Sequence, residues 1–599
     1  MKLQWKVTPI NFHVLVAPYL FFIGRIVCQP VGFGYVSATF MIPQAKVAHL
    51  KPDQLLYLKE AFRSTVSLDD LAAELNFPGR NQLLLAIAKS LRLEVVELDE
   101  ISIDANVLEN FPQKLIHRFE VFPIALRENE IQLAVGNPFD LNIVDEVAAV
   151  SGFSVLPVVA DAEKIRGLIK QNFGVGAETI DGMMSLQDDT PVAVQNLQGQ
   201  DLDDAEMAQQ ASVVRLVNEI LTAGIESRTS DVHIESQEKS IKIRYRIDGV
   251  LQRQPTPPDM NRFRNAIVSR LKIMAKLNIA EKRIPQDGRI KMRVKGREID
   301  IRVSIIPMLH GEGIVMRILD KDNLAFSLRG VGMPESIYDQ FNKLIQLPHG
   351  IVLVTGPTGS GKTTTLYSAL GEIKNEGTKI ITVEDPIEYQ LEGINQIQVH
   401  NKVGLTFASS LRSILRHDPD VVLVGEIRDL ETAENAIQAS LTGHLVFSTL
   451  HTNDSASAFM RLSDMGVEPF LATSTVEGVL AQRLVRILCS DCCQAVDPSQ
   501  LSLPDDFPFK RIDNAETTLK QPIGCPQCRQ SGYRGRIGIF ELLVANEEIR
   551  ELAGHREPST KVKQAALASG MKSLRNDGWD KALAGTTTVA EVLRVTKAD

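Results

Sequence analysis

Beyond residue 350 the chain keeps returning to one pattern, a short apolar run followed by a longer stretch with helical spacing. The runs 351–355, 380–383, 421–424 and 445–449 hold no polar residue other than Ser or Thr. Strands that are apolar on both faces belong to a parallel sheet covered by helices on each side, so this region is predicted to be a doubly wound α/β core. Upstream the periods are mixed. Residues 121–126 and 130–135 flank Arg127, Glu128 and Asn129 and predict a hairpin. Residues 155–159 lead to Asp161 as a helix cap, after which Ile165, Leu168, Ile169 and Phe173 fall on one helical face. Residues 213–225 read as an amphipathic helix, and 240–246 alternate as a strand that runs into Asp248-Gly249, a tight hairpin turn. A second α/β domain is expected up to about Arg329.

Two stretches break the pattern. Residues 7–24 and 26–45 carry no charge, and Lys2 and Lys6 precede them, as in a signal peptide or membrane anchor. Pro9, Asn11, His13 and Pro18 in the first, and Gln29, Pro30, Gly32 and Gly34 in the second, interrupt the run of about 20 apolar residues that a span requires. A peripheral or poorly ordered extension, or an overextended start, is the expectation for 1–45. Between 176 and 206 the apolar period fades, and Glu178, Asp181, Asp188, Asp189, Asp201, Asp203, Asp204 and Glu206 occur without a Lys or Arg. That composition predicts a flexible acidic linker. The expected organisation is an extension (1–45), an adaptor (46–175), the linker (176–206), a second domain (207–330) and the α/β core (331–599).

Composition narrows the function classes. A chain of 599 residues with 44% hydrophobic and 23% charged residues suits several globular domains and excludes wholesale disorder or a polytopic membrane protein. Nearly all of the net charge of −9 belongs to the linker's acids, so the folded parts are close to neutral. Charge therefore neither excludes nor favours nucleic acid, and 6% aromatics with two Trp leave little for base stacking.

The strongest local signal is the run Gly356, Pro357, Thr358, Gly359, Ser360, Gly361, Lys362, Thr363, a full GxxxxGK[ST] match after a predicted strand and before a helix that takes in Thr364. Such a loop turns several backbone N–H groups toward phosphate oxygens at a helix N-terminus, with Lys362 on the β and γ oxygens and Thr363 on Mg²⁺. ATP is favoured over GTP, because Asn401-Lys402-Val403-Gly404 lacks the Asp that reads guanine. The next strands deliver Glu384, Asp385 and Glu388, then Gly425 and Glu426, to the sheet edge where Mg²⁺ and the attacking water are managed. Acids at strand ends also serve as plain helix caps, and Asp429 or Glu431 can be read that way. His444 and His451 bracket the fourth strand, where γ-phosphate sensing or a subunit contact competes with an ordinary structural role.

Of six Cys, Cys28 stands alone and five lie between 489 and 528. Cys489, Cys492, Cys525 and Cys528 form two CxxC pairs with 32 residues between them, the spacing of a two-knuckle zinc site, against the alternative of free thiols. Cys493 is then a bystander. The zinc subdomain, about 485–540, is read as a stapled insert, since Tyr533, Arg534 and Arg536 supply too little basic character for a nucleic-acid ribbon.

These residues resemble the type II secretion and type IV pilus assembly ATPases of the secretion ATPase superfamily, over roughly 83 to the C-terminus. The resemblance rests on Thr229-Ser-Asp-Val-His-Ile-Glu235, Ile243-Arg-Tyr-Arg-Ile-Asp-Gly249, Ala280-Glu-Lys-Arg-Ile-Pro-Gln-Asp-Gly-Arg289, Val383-Glu-Asp-Pro-Ile-Glu388, the stretch from Asp418 to Asp429, that from Thr442 to His451, and Gly532-Tyr-Arg-Gly-Arg-Ile-Gly538. It implies a multidomain α/β fold, with a RecA-like P-loop ATPase core carrying a zinc-binding insert, preceded by a PAS-like domain and an N-terminal adaptor. It implies that Glu388 activates water, that Glu384 belongs to the same aspartate box, and that Glu426 acts on Mg²⁺ through water. His444 and His451 match the histidine box, and Arg246, Arg302 and Arg317 match arginines that approach the nucleotide. The cofactors implied are ATP, Mg²⁺ and Zn²⁺. The implied assembly is a homohexamer, cytoplasmic and peripheral on the inner membrane, with a platform protein and the cytoplasmic domain of a membrane-anchored assembly protein as partners and no nucleic acid.

The cysteine insert and the long N-terminal region favour an assembly motor over a retraction motor. His310-Gly-Glu312 and Arg317-Ile-Leu-Asp-Lys321 lie closer to secretion than to pilus extension, the runner-up. Met308-Leu309 departs from the small polar pair usual there, and no Arg-Leu-Gly tripeptide is present, so cyclic di-GMP is not expected. The rival from another class is a nucleic-acid-remodelling RecA-like protein with a zinc ribbon.

Overall fold

The computed structural model describes residues 50–62, 67–98, 105–174, 176–177, 179–180, 200–320, 327–508 and 519–597. The expected extension at 1–45 lies outside them, as does 181–199 of the expected linker. Among the described residues no helix is long and apolar enough to cross a membrane.

The adaptor builds a four-stranded sheet in the order Glu94–Val95, Ser154–Val159, Glu130–Val135, Phe122–Arg127. The last two are the hairpin expected from the pattern, with Glu128 at φ 51 in its turn. Asp161 caps the following helix, accepting from Glu163 N–H at 2.9 Å.

The second domain is a six-stranded antiparallel sheet, ordered Val250–Arg253, Ile241–Ile247, Thr229–Ser236, Gly311–Asp320, Arg297–Met308, Gln286–Val294. One face is covered by the helices Gln200–Glu226 and Arg264–Met274, which bury Leu216, Ile220 and Leu271 against Tyr245 and Ile301. Alternation sends polar side chains to the other face. Register sets Arg246 opposite Asp231, Asp231 opposite Arg317, Arg317 opposite Arg302 and Arg302 opposite Arg289, one row across five strands.

The structure trims the linker at both ends. A helix already begins at Gln200, and Ile180 is buried in the second domain's core. Thr179 Oγ1 hydrogen-bonds Glu219 at 2.9 Å, a long-range contact with no periodic signature in sequence.

The C-terminal half holds a seven-stranded sheet ordered Asn395–Gln398, Ile380–Glu384, Val421–Val424, Leu445–Leu450, Gly350–Thr355, Val476–Leu488, Tyr533–Val544. All neighbours are parallel except the last pair. Buried apolar clusters fill both faces, which is why these strands read as uninterrupted apolar runs. Val476–Leu488 is 13 residues long and outruns its parallel neighbour; with Tyr533–Val544 it forms a ribbon that carries the cysteine insert at its far end.

Candidate functional site

The phosphate-binding candidate lies where Gly350–Thr355 ends and the helix Lys362–Ile373 begins. Two of its glycines are required by close approach. At Gly356 (φ 150) a Cβ would sit 2.6 Å from Gln482 O, and at Gly361 (φ 90) 2.8 Å from Gln482 Nε2. Pro357, Thr358 and Gly359 form the exposed crest. Lys362 folds back across the loop, its Nζ donating to Gly356 O at 2.8 Å and Pro357 O at 3.2 Å. Burial lowers the Lys362 pKa, and the nearby charge of Glu426 partly restores it. Thr363 is exposed on the first helical turn, with Thr364 beside it, so the helix N-terminus and its free N–H groups face the same space. Ser360 Oγ is buried with no hydrogen-bond partner among the described residues. A glycine cradle, a cation and an unsatisfied hydroxyl at a helix start are what a nucleotide's phosphates need, so these residues fit ATP.

The acids sort themselves by strand geometry. Glu426, just past Val421–Val424, is bonded by Arg428 Nη2 at 2.5 Å and faces His451 Nε2 at 3.3 Å. Burial alone would raise its pKa, but the hydrogen bonds from Arg428 and His451 outweigh that and hold the carboxyl below its ordinary range. It is therefore an anion at neutral pH, suited to a water-bridged Mg²⁺ beside Thr363. Glu388 lies beyond the adjacent strand and meets Arg302 Nη2 of the second domain at 2.9 Å; the same guanidinium donates to Ile387 O at 3.0 Å.

Arg246 and Arg317 share Asp231. Arg317 Nε donates to its Oδ1 at 3.1 Å, Arg246 Nε lies 3.7 Å from Oδ2, and Arg246 Nη1 also reaches Gly249 O at 3.0 Å.

Two expected site residues are placed elsewhere. Glu384 is the last residue of its strand and points inward, 4% exposed. It accepts from Thr382 Oγ1 at 2.6 Å, from Gln396 Nε2 at 3.2 Å and from Tyr367 OH, so it anchors an interior polar network. His444 precedes Leu445–Leu450 while His451 follows it. Its carbonyl accepts from Gly350 N at 3.2 Å, at the strand end opposite the phosphate loop, and its ring bonds Ala439 O and Thr442 Oγ1. A six-residue strand separates the two ends by about 20 Å.

Three residues escaped the sequence reading. Arg428 follows Glu426 by two positions and could have been found from that spacing. Gln482 bonds Thr365 Oγ1 at 2.8 Å, and Arg483 lies where a Gly356 Cβ would come within 3.2 Å of its Nη1. Both sit on the strand beside Gly350–Thr355, a neighbour that only the sheet order reveals.

In the insert the Sγ atoms of Cys489, Cys492, Cys525 and Cys528 all lie within 4.8 Å of one another. The Cys489–Cys525 and Cys492–Cys528 separations are 3.8 and 3.7 Å. Four sulfurs at about 2.3 Å from one zinc ion would be spaced at about 3.8 Å, far longer than a disulfide of about 2.05 Å. Backbone N–H groups of Gly524, Cys525 and Gly532 donate to these sulfurs at 3.1 to 3.3 Å. At Cys528 burial would raise the thiol, but hydrogen bonds from Cys525 and Gly532 bring it down to about 7, whereas burial pushes Cys492 up to about 12 and Cys525 upward. Tetrahedral spacing and sulfur-directed donors fit zinc. Cys493 is outside the group.

Comparison with known proteins accords with this geometry. Residues 206–594 match the family described as type II/IV secretion system protein, and 91–179 match the MshEN domain. The Type II secretion system protein E of Xanthomonas campestris pv. campestris is 46% identical, over 81% of this chain and 84% of its own. The Type II secretion system ATPase E of Vibrio cholerae is 48% identical, over 73% and 83%. The Type IV pilus assembly ATPase PilB of Myxococcus xanthus is 40% identical, over 86% and 90%. A solved pilus retraction motor, PilT with bound ADP, is 25% identical over 63% of this chain and 96% of its own, at a TM-score of 0.42, too low for residue positions to be argued from it. With well over half of its length matched by one family model and with relatives of this coverage, the chain belongs to the type II/IV secretion system protein family and is a secretion ATPase.

Proposed function

We propose that the chain is the ATPase that powers pseudopilus assembly for type II protein secretion, acting as a hexameric ring. The observation that carries the reading is the gathering of Lys362, Glu426 and His451 at one edge of the parallel sheet, with a second-domain arginine, Arg302, on Glu388. In that arrangement the loop N–H groups and Lys362 bind and orient the ATP phosphates. Thr363 and Glu426 would hold Mg²⁺, which would supply charge neutralisation at the phosphates. Glu388 orients a water in line with the γ-phosphate and accepts its proton, and Arg302, 2.9 Å away, fixes the direction of that carboxylate. His451, at 3.3 Å from Glu426, fixes the acid's direction.

The ring, its docking to an inner-membrane platform protein and to the cytoplasmic domain of a membrane-anchored assembly protein, and peripheral attachment to the inner membrane through them, are the partners this role requires. The four thiolates hold zinc and staple the insert. Type IV pilus extension is the second reading, favoured by the PilB relative that spans 86% of this chain; the higher identities to secretion ATPases weigh against it.

Two variants test the chemistry. Lys362→Ala is expected to abolish binding of a fluorescent ATP analogue. Glu388→Gln is expected to bind it normally but release phosphate at least about 100-fold more slowly. A Glu388→Gln protein with full turnover would remove that residue from its role.

A further inference from the structure

The second domain and the cysteine insert meet at one backbone point that neither the phosphate loop nor the metal-ligand set requires. In the ribbon that carries the insert, Arg486 pairs with Arg536 and Leu488 with Tyr533, with a register shift between. Ile487 therefore faces two residues, Arg534 and Gly535, and the ladder is locally broken. The Gly535 N–H inside this bulge donates to Asp248 Oδ2 at 2.8 Å, across 287 positions of sequence.

Asp248 is the first residue of the Ile247–Val250 hairpin turn. Asp248 (φ 48) and Gly249 (φ 84) are both left-handed, a turn of type I′ whose backbone would form equally well with other small polar residues. The choice of a carboxylate is thus explained by what its side chain reaches. A further group closes on the same point: Arg228 Nη2 would lie 4.0 Å from a Cβ on Gly535.

From both ends the contact leads to chemistry. On the insert side, Gly532 N–H donates to Cys528 Sγ at 3.1 Å and Gly532 O accepts from Cys489 N at 3.0 Å, three residues from Gly535. On the other side, Arg246 Nη1 donates to Gly249 O at 3.0 Å, and Arg246 stands in the row with Asp231, Arg317 and Arg302. We propose that the cysteine insert is the seat on which the second domain docks within one chain, and that Asp248, by capping the bulged Gly535 N–H, is a positioning residue that holds the arginine row in register with the ATPase core. The docking stands on geometry alone; its effect on turnover rests on the ATPase reading.

The turn itself supplies the controls. Asp248→Gly keeps the type I′ backbone and removes the acceptor, whereas Asp248→Asn keeps both backbone and an acceptor oxygen. Amide hydrogen exchange of the full-length, zinc-loaded protein without nucleotide reads the docking without reference to hydrolysis. Asp248→Gly is expected to speed exchange across 533–537 by on the order of 10-fold, with zinc content unchanged, and Asp248→Asn to stay near wild type. Wild-type protection of 533–537 in Asp248→Gly overturns the docking. For the positioning role, Asp248→Gly is expected to lower kcat for ATP with KM unchanged, and Asp248→Asn to restore it. Unaltered kcat in an Asp248→Gly protein whose 533–537 amides exchange faster overturns that role while leaving the docking intact.

Discussion

Glu384 and Glu388 leave the same strand four residues apart, yet only Glu388 reaches the interface with Arg302, because the strand's last side chain turns inward to Tyr367 and the acid beyond it does not. The two histidines divide in the same way. His451 faces Glu426, and His444 lies a full strand away. His451→Ala is accordingly expected to slow phosphate release at least about 10-fold, and His444→Ala to leave it within about 2-fold, in a steady-state assay of the purified protein. At this scale the phosphate loop was legible because its residues act through backbone and need only contiguity. The inward turn of Glu384 and the far strand end of His444 were not legible, because a motif gives position along a strand but not which end or face a side chain takes. Arg483 was invisible because its nearness to Gly356 comes from a strand pairing more than 100 residues away in sequence.

The elements most fully written in the sequence are the buried parallel strands, whose apolar runs match the observed bounds to within a residue, since burial on both faces leaves them no polar positions. The ribbon that carries the cysteines is different, because its long strands depend on packing by the C-terminal helix Val589–Val595. There Glu591, 2% exposed, accepts from Arg486 Nη2 and Arg594 Nη2, both at 2.7 Å. Burial would raise its pKa, but the two guanidinium groups take it from an ordinary value near 4.5 down to about 2. A depressed carboxylate stabilises the fold above its unfolded pKa and loses that contribution as pH falls through the folded one. Glu591→Gln is therefore expected to cost about 3 kcal/mol in urea unfolding at neutral pH, with the gap to wild type closing between about pH 4.5 and 2. Cys492→Ser is expected to abolish stoichiometric zinc, read by atomic emission, because three thiolates no longer complete the tetrahedron.

Arg302 on Glu388 and Asp248 on Gly535 tie the second domain to the core. Arginines brought to a nucleotide site by another domain make hydrolysis conditional on domain position, which is how a ring converts ATP turnover into movement. These joints could not be read from the pattern, because each pairs residues that share no local period. Nor does sequence pattern alone separate secretion from pilus extension, which share the motor. Replacing the chromosomal gene with a Glu388→Gln copy and scoring exoprotein release and surface pili in the same cells decides between them. Exoproteins are expected to stay inside while pili remain; cells that lose pili and secrete normally would contradict a secretion motor.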